Sequence, residues 1–277
     1  MAITNFIPEY WSSALLTSLK KSLVYGDVVN RNYEGEISAA GDTVRITSVG
    51  RPSIATYTPS STTLTYEQLS DAQRTLVVDQ AKSFSFQVDD VDRRQALPGI
   101  VEEATREAAY GLADTIDQYL AGFYTGAINT ISTTAVTAAS ANAYTLLVDL
   151  KVKLDEKNVP NEGRWVVVPP WYHGLLLKDN RFIDASASGS TAPLTNGMVG
   201  RAAGFDVRVS NNAPLITGDD YAVIAGHNSA LTYAEQINKV EALRLESSFS
   251  DGIRGLAVYG AKLVRPDSIA VLTASMT

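Results

Sequence analysis

The stretch LPGIVEEATREAAYGLADTIDQYLAGFY, residues 97–124, decides the fold because it predicts one long helix over residues 98–124. Pro98 suits the first turn of a helix, and Gly122 and Gly126 predict its end. One face carries apolar and small residues at 3.6-residue spacing: Val101, Thr105, Ala108, Leu112, Ile116, Leu120 and Phe123. A helix of about 25 residues is about 37 Å long, which is roughly twice the mean length in globular proteins. The core of an ordinary domain also accommodates such a helix, so the flanking segments must distinguish the alternatives.

The composition describes a globular chain with no membrane signal. The 277 residues allow one large domain or two modest ones, and the hydrophobic content of 45% is too high for disorder. No apolar run approaches the length of a membrane-spanning helix, and no signal peptide is expected, since Lys20 and Lys21 follow the first apolar residues. The absence of cysteine excludes disulfides and thiolate ligands and fits a reducing compartment. A net charge of −7 without a basic cluster argues against tight nucleic-acid binding.

Residues 8–25 predict an amphipathic helix at the N-terminus. Its apolar stripe is formed by Trp11, Leu15, Leu16, Leu19 and Leu23. The stripe predicts either an arm that packs on another subunit or a helix that docks on its own domain, and the sequence leaves both open.

Residues 36–92 change to the period of strands. Apolar residues alternate at Val44 and Ile46 and again at Phe84, Phe86 and Val88. Between these strands, residues 51–71 contain two prolines, many serines and threonines, and too few large apolar groups to bury themselves. We predict a long hairpin that projects from the body onto a neighbour, with a surface loop as the alternative. The predicted intersubunit contacts are Trp11, Leu15, Leu19, Leu23, Arg51, Ile54, Tyr57, Leu64 and Tyr66.

After the long helix, a connector leads into alternating helices and strands. We predict two helices, over residues 143–157 and 171–179, and the first carries Leu146, Leu147, Leu150 and Leu154 on one face. We predict strands over residues 164–168, 205–209 and 221–225 and a loop over residues 185–200. Residues 229–237 fit either a helix or a strand. The C-terminal part predicts strands over residues 240–249, 253–264 and 268–273, with turns at residues 250–252 and 265–267. Strands at both ends of the chain favour one sheet built from distant segments.

The search for catalytic and metal sites finds no specific motif. Asp89, Asp90 and Asp92 offer oxygen ligands for a hard cation, but no EF-hand spacing follows, and two arginines lie beside them. His173 and His227 have no partner at metal-binding spacing, so we predict structural roles for both. We therefore predict no catalytic residue, no cofactor and no metal.

Several segments, in this order, resemble the major capsid proteins of tailed bacteriophages. Their fold is the Hong Kong ninety-seven shell fold, which encapsulins share. FSFQVDDVDRRQA, residues 84–96, resembles the junction that leads into the family's long spine helix, and ADTIDQYL lies within the predicted helix itself. GFDVRVSNNAP (residues 204–214) and AGHNSALTYAEQ (residues 225–236) resemble axial-domain segments, and GIRGLAVYGAKLVRPDSIAVLTAS (residues 252–275) resembles the C-terminal end. The order of the motifs carries the resemblance, which covers nearly the whole chain.

The resemblance implies an α+β shell fold and a division of the chain. The implied parts are an N-terminal arm (1–33), an extended β-hairpin called the E-loop (34–81), a peripheral domain with the spine helix (82–140), an axial α/β domain (141–237), and C-terminal strands that return through the peripheral domain (238–277). The chain looks closest to the branch that uses a separate scaffolding protein. Because Met1 directly precedes the arm, no attached scaffolding domain is expected, and no inserted immunoglobulin-like domain is evident.

The implied function is structural. The resemblance predicts a major capsid protein, not an enzyme, that assembles with itself into hexamers and pentamers of an icosahedral head around double-stranded DNA. The implied partners are a scaffolding protein, a portal, the packaged DNA without sequence specificity and, in some relatives, a decoration protein; no membrane is involved. The implied location is the virion, with assembly in the cytoplasm of the bacterial host. The alternatives are an encapsulin-like nanocompartment and a metal-dependent α/β enzyme that uses the aspartates and a histidine.

Overall fold

The computed structural model describes residues 24–32, 43–49, 54, 71–89, 100–132, 134–179, 181, 200–245 and 250–276. In these residues the helices are α1 (Tyr25–Val28), α2 (Ile100–Ala121), α3 (Ala143–Glu156) and α4 (Pro170–Leu177). The strands are β1 (Thr43–Val49), β2 (Asp71–Val77), β3 (Gln80–Asp89), β4 (Asn129–Thr130), β5 (Val136–Thr137), β6 (Arg164–Val168), β7 (Arg201–Ala202), β8 (Phe205–Val209), β9 (Leu215–Thr217), β10 (Asp220–His227), β11 (Leu231–Arg244), β12 (Ser250–Leu263) and β13 (Ile269–Ser275). None of the described helices has the length and hydrophobicity that crossing a membrane requires.

The described strands form three sheets, so the prediction of one sheet is wrong. β1 and β2 form a two-stranded sheet, β11, β12 and β3 form a second, and the third follows the order β4-β13-β10-β6-β8-β7, with β5 on β13 and β9 on β10. Distant segments do pair, as expected, because β12 lies beside β3. After β12 the chain leaves the three-stranded sheet, because a 3₁₀ turn at Pro266–Ser268 redirects it, and β13 then pairs with β10. The C-terminal strands therefore belong to two sheets, although Ile269 and Val271 of β13 still lie in the core of the long helix.

The predicted turn at residues 250–252 is also wrong, because β12 already begins at Ser250. Gly252 pairs with both Leu243 and Gln87, so turn-forming residues are held in a ladder between two strands. Arg244 and Asp251, which face each other across the ladder, form an ion pair of 3.2 Å. Cross-strand pairing has here overridden the local preference of Ser-Asp-Gly for a turn.

The long helix is confirmed, with α2 followed by a 3₁₀ turn at Gly122–Gly126. Its predicted stripe is buried at Thr105, Leu112, Ile116 and Leu120. Ala108 and Phe123 are only half-buried, and the side chain of Val101 lies outside the described residues. The stripe belongs to a core that also contains Tyr233, Ile253, Ala257 and Tyr259 of the three-stranded sheet.

A second core lies between the largest sheet and helices α3 and α4. The four leucines predicted for one face of α3, Leu146, Leu147, Leu150 and Leu154, are all buried, and so is every residue of β6. The Tyr172 hydroxyl of α4 donates to the Ala143 carbonyl at the start of α3, at 2.8 Å. Burial raises the pKa of Tyr172, so this phenol stays a neutral donor. Of the ambiguous residues 229–237, residues 231–237 are extended, since β11 begins at Leu231, and the two residues before it lie in a turn.

Candidate assembly surfaces

The predicted hairpin exists, and its base is attached to the body. Antiparallel pairing runs from Thr43 opposite Val77 to Val49 opposite Asp71. A small apolar cluster, the hairpin base cluster, joins the hairpin to strands β11 and β12; its buried members are Ile46, Leu76, Val78, Ala234 and Val258. Arg74 adds a hydrogen bond from Nη1 to the Leu263 carbonyl at 3.1 Å. The base of the hairpin thus belongs to the subunit core.

Away from its base, the described part of the hairpin shows only the pairing of its two strands with each other. Among the described residues, no third strand joins β1 and β2. Ile54, in the stretch between these strands, is 93% exposed, which is far more than a large aliphatic side chain adopts inside a subunit. The other predicted contacts, Trp11, Leu15, Leu19, Leu23, Arg51, Tyr57, Leu64 and Tyr66, lie outside the described residues. Their intersubunit role stays a prediction.

The attachment of the hairpin depends on a close backbone approach at Gly260. A Cβ added there would lie 2.8 Å from the Cα of Val78 and would also meet the carbonyl of Val77. Since backbone atoms cannot rotate away as a side chain does, Gly260→Ala is expected to destabilise the subunit by about 1–3 kcal/mol through overpacking. Thermal unfolding and hydrogen exchange of β2 would measure this effect. Gly111→Ala is the control, since a Cβ at Gly111 meets nothing within 4 Å; equal stability of the two variants would contradict the close approach.

The described end of the predicted arm, residues 24–32, is attached to the subunit's own body. Tyr25, Val28 and Val29 are buried in the core of the long helix. Asn30 donates from its N–H to the Leu231 carbonyl at 2.9 Å and accepts from the Tyr233 N–H at 2.9 Å. These bonds fix the chain at the start of β11, so the predicted arm is held to the body at its C-terminal end.

Asp117 joins this segment to the long helix and to a loop of the largest sheet. Its Oδ1 accepts from the backbone N–H groups of Val24 at 3.0 Å and Tyr25 at 2.8 Å. Its Oδ2 accepts from Asn212 Nδ2 at 3.0 Å and from the Ser210 hydroxyl at 3.5 Å. Only 2% of Asp117 is exposed. We call this arrangement the Asp117 joint; it connects three segments that are far apart in sequence.

Sequence reasoning missed the Asp117 joint. The predicted stripe follows the large apolar residues of α2, whereas Asp117 lies on a neighbouring row at i, i+4 spacing with the small buried residues Ala109, Ala113 and Ala121. The available signal for a buried acid was its position, since Asp117 lies within a row of alanines on a helix whose other residues in that row are packed. Its hydrogen-bond partners lie more than 90 residues away, so they had no local signature.

Replacing Asp117 tests the charge of the joint. Burial raises the pKa of the Asp117 carboxyl, and the hydrogen bonds from Asn212, Tyr25, Val24 and Ser210 only partly oppose this effect. The folded state therefore binds this proton more tightly than the unfolded state does, so the contribution of Asp117 to stability falls as pH rises from its unfolded pKa through its folded pKa. In Asp117→Asn this dependence should vanish, and the free energy of unfolding of the variant minus that of the wild type should increase with pH. Urea unfolding over about pH 4–8 measures the difference; parallel pH profiles would contradict a buried charge.

Both histidines, His173 and His227, are half-buried. His227 Nδ1 lies 2.8 Å from the Ser229 hydroxyl and also accepts from the Ser229 backbone N–H, which is a local turn contact. Burial lowers the pKa of both His173 and His227, which favours their neutral forms. In the part of the chain that the structure describes, no three His, Asp or Glu side chains could hold a metal ion together. Asp90 and Asp92, and the side chain of Asp89, lie outside that part.

Comparison with known proteins agrees with this architecture. A family model described as phage capsid protein matches residues 71–272. A solved structure from Mycobacterium phage Che8 is 35% identical and superposes with a TM-score of 0.78, covering 90% of this chain and 90% of that one. The capsid of cyanophage P-SCSP1u is 18% identical, with a TM-score of 0.75 over 92% of this chain and 89% of that one. A virus-like particle from Pyrococcus furiosus is 14% identical, with a TM-score of 0.61 over 96% and 99%, respectively. No curated protein matches the sequence.

These matches define a class of shell-forming structural proteins, and within it the chain belongs to the phage capsid protein family. The predicted α+β shell fold and the resemblance to tailed-phage capsid proteins are confirmed. The protein is a major capsid protein with a structural, non-enzymatic role, and it builds the shell of a phage head by self-assembly.

Proposed function

We propose that this chain is the repeating subunit of an icosahedral head, arranged as hexamers and pentamers around double-stranded DNA. The observation that carries this proposal is the hairpin β1–β2, whose base is fixed in the subunit while its outer part has no partner strand among the described residues. A projecting element of this kind gains buried surface only when neighbouring subunits surround it. The contacts are made by the arm residues Trp11, Leu15, Leu19 and Leu23 and by the hairpin residues Arg51, Ile54, Tyr57, Leu64 and Tyr66.

The proposed domains are those that the resemblance implies. Residues 1–33 act as the arm, residues 34–81 as the E-loop, and residues 82–140, with the long helix, as the peripheral domain. The axial domain comprises residues 141–237, and residues 238–277 return through the peripheral domain; the last strand of this segment also pairs with β10. A scaffolding protein and a portal guide assembly in the bacterial cytoplasm, and a decoration protein is a further candidate partner. The net charge of −7 suits a container wall that does not hold the packaged DNA tightly.

Microscopy of the purified protein tests this function. We expect closed particles of megadalton mass in negative stain and in light scattering, with or without a co-expressed scaffolding protein. A homogeneous monomer under both conditions would overturn the proposal.

The encapsulin-like alternative has one observation in its favour, the fold shared with the Pyrococcus furiosus particle. At 14% identity this likeness shows the fold alone, whereas the 35% identical structure comes from a phage. The contents of particles isolated from the native source distinguish the two, since a head contains DNA and a nanocompartment contains a cargo protein.

A further inference from the structure

A polar cleft of about 510 Å³ lies where the hairpin base meets the two cores. Its walls come from segments that are remote in sequence: Arg74 of β2, Lys157 and Asn158 after α3, Asn30 of the N-terminal segment, and Arg265 and Asp267 between β12 and β13. The cleft holds three cations against one carboxylate. This is a local surplus of positive charge in a chain whose net charge is −7.

The cations of the cleft differ from most arginines elsewhere in the subunit. Among the described residues outside the cleft, seven arginines have a carboxylate within 4.0 Å: Arg31, Arg164, Arg181, Arg201, Arg208, Arg244 and Arg254. Among the described residues, no ion pair joins Arg74, Lys157 or Arg265 to a carboxylate. Arg74 donates a hydrogen bond from Nη1 to the Leu263 carbonyl, so the other edge of its guanidinium can donate to a further acceptor.

Like charges that share a concave site repel one another, and a low-dielectric wall strengthens the field between them. An anion that enters the cleft removes this repulsion and accepts hydrogen bonds from guanidinium and ammonium groups at once. Guanidinium groups bind carboxylates through paired N–H donors, so a carboxylate-bearing segment suits the two arginines in particular. The amides of Asn30 and Asn158 lie on the same walls and extend the polar lining.

We propose that this cleft receives an acidic segment from a second copy of this chain in the assembled shell. The inference rests on the proposed function, because it names a surface through which the subunits of the shell meet. The second copy is favoured over DNA on two grounds. The chain itself is acidic, which gives charge complementarity between copies. A cleft of this volume has the size of a site for a small group or a few side chains, whereas a duplex presents its phosphates on a surface too broad to enter it.

Charge reversal tests the proposal. Lys157→Glu and Arg265→Glu are expected to reduce the yield of closed shells by about tenfold or more, because like charges then face each other across the contact. Both side chains are exposed in the isolated subunit, so circular dichroism and thermal unfolding of the unassembled variants should match the wild type. Lys153→Glu is the control, since Lys153 lies outside the cleft in the last turn of α3, the helix that ends just before Lys157, and this variant should assemble normally.

A single thiol reports whether the cleft is filled. The chain has no cysteine, so Asp267→Cys introduces one unique thiol in the cleft while all three cations remain. We expect a maleimide to label this thiol in unassembled subunits and to label it at least about tenfold more slowly in empty shells, because burial limits the access of a thiol to reagents.

The outcomes separate the cleft from the proposed function. Wild-type shells together with normal assembly of both glutamate variants, or with a thiol that remains reactive in empty shells, would overturn the inference and leave the capsid function intact. Protection that occurs only in DNA-filled particles would mean that phosphates occupy the cleft and would also overturn it. If the wild type forms no shells under any condition, the proposed function and the inference fail together.

Discussion

Replacement of residues 50–70 by Asn-Gly is expected to give a folded subunit that no longer forms closed shells. The strand register allows this replacement, because Val49 and Asp71 face each other as the last described pair of the hairpin and a short loop can join them. A two-residue Asn-Gly loop closes antiparallel strands with the twist that they already have. The hairpin base cluster, which includes Ile46, Leu76 and Val78, lies away from the cut and stays intact.

The expected result separates folding from assembly. The shortened subunit should keep the circular dichroism and the cooperative thermal unfolding of the wild type, while microscopy and light scattering should find no closed particles. The control is a variant of unchanged length in which residues 50–70 are replaced by glycine and serine, because it removes the side chains of the tip without shortening the hairpin. Normal shells from the shortened variant would show that the tip is dispensable. An unfolded variant would show that the tip packs on its own body.

Ile54 allows a milder form of the same test. Its side chain is 93% exposed in the subunit, so Ile54→Ser should leave subunit stability within about 0.5 kcal/mol of the wild type. A loss of assembly in this variant would place Ile54 in the interface, whereas unchanged shells would place the contact elsewhere on the tip.

The elements that the sequence predicts well are those whose signal is local and repeated. The stripe of α2 extends over several turns, so the prediction of the helix holds even though Ala108 and Phe123 are less buried than expected. The leucines of α3 and the β-branched run of β6 are equally redundant, and both elements occur where expected. A pattern that repeats determines an element even when some of its positions deviate.

The elements that the sequence misplaces depend on distant partners. Turn chemistry at residues 250–252 competes with pairing to β11 and β3, and the two ladders prevail. The single predicted sheet divides because the 3₁₀ turn at Pro266–Ser268 sends β13 to β10. Local composition carries no information about either outcome, since both are decided by segments far along the chain.

The assembly surfaces show the same contrast. The hairpin could be predicted because its strands alternate and its tip lacks large apolar residues, and the structure confirms its paired base. The polar cleft could not be predicted, because no basic cluster exists in the sequence, and only the fold brings Arg74, Lys157 and Arg265 together. The Asp117 joint could not be predicted for the same reason, because its hydrogen-bond donors come from two remote segments.

Ile116→Ala is expected to cause a large loss of subunit stability. Ile116 lies in the middle of α2, is 1% exposed, and belongs to the core that joins the helix to the N-terminal segment and the three-stranded sheet. Truncation of a buried isoleucine to alanine removes favourable burial and leaves a cavity, which together cost about 2–5 kcal/mol. Since whole domains are stable by only about 5–15 kcal/mol, the variant loses a large fraction of its stability.

The matched control is Tyr110→Ala on the same helix. Tyr110 is 62% exposed, so its removal should change the free energy of unfolding by no more than about 0.5 kcal/mol. Urea unfolding of unassembled subunits measures both variants without a contribution from contacts between subunits. The difference between them reports the packing of the buried face, because both substitutions place alanine in the same helix. If Ile116→Ala were as stable as Tyr110→Ala, then α2 would not be the element around which this core is built, and the stripe that predicted it would face solvent or a cavity that already exists.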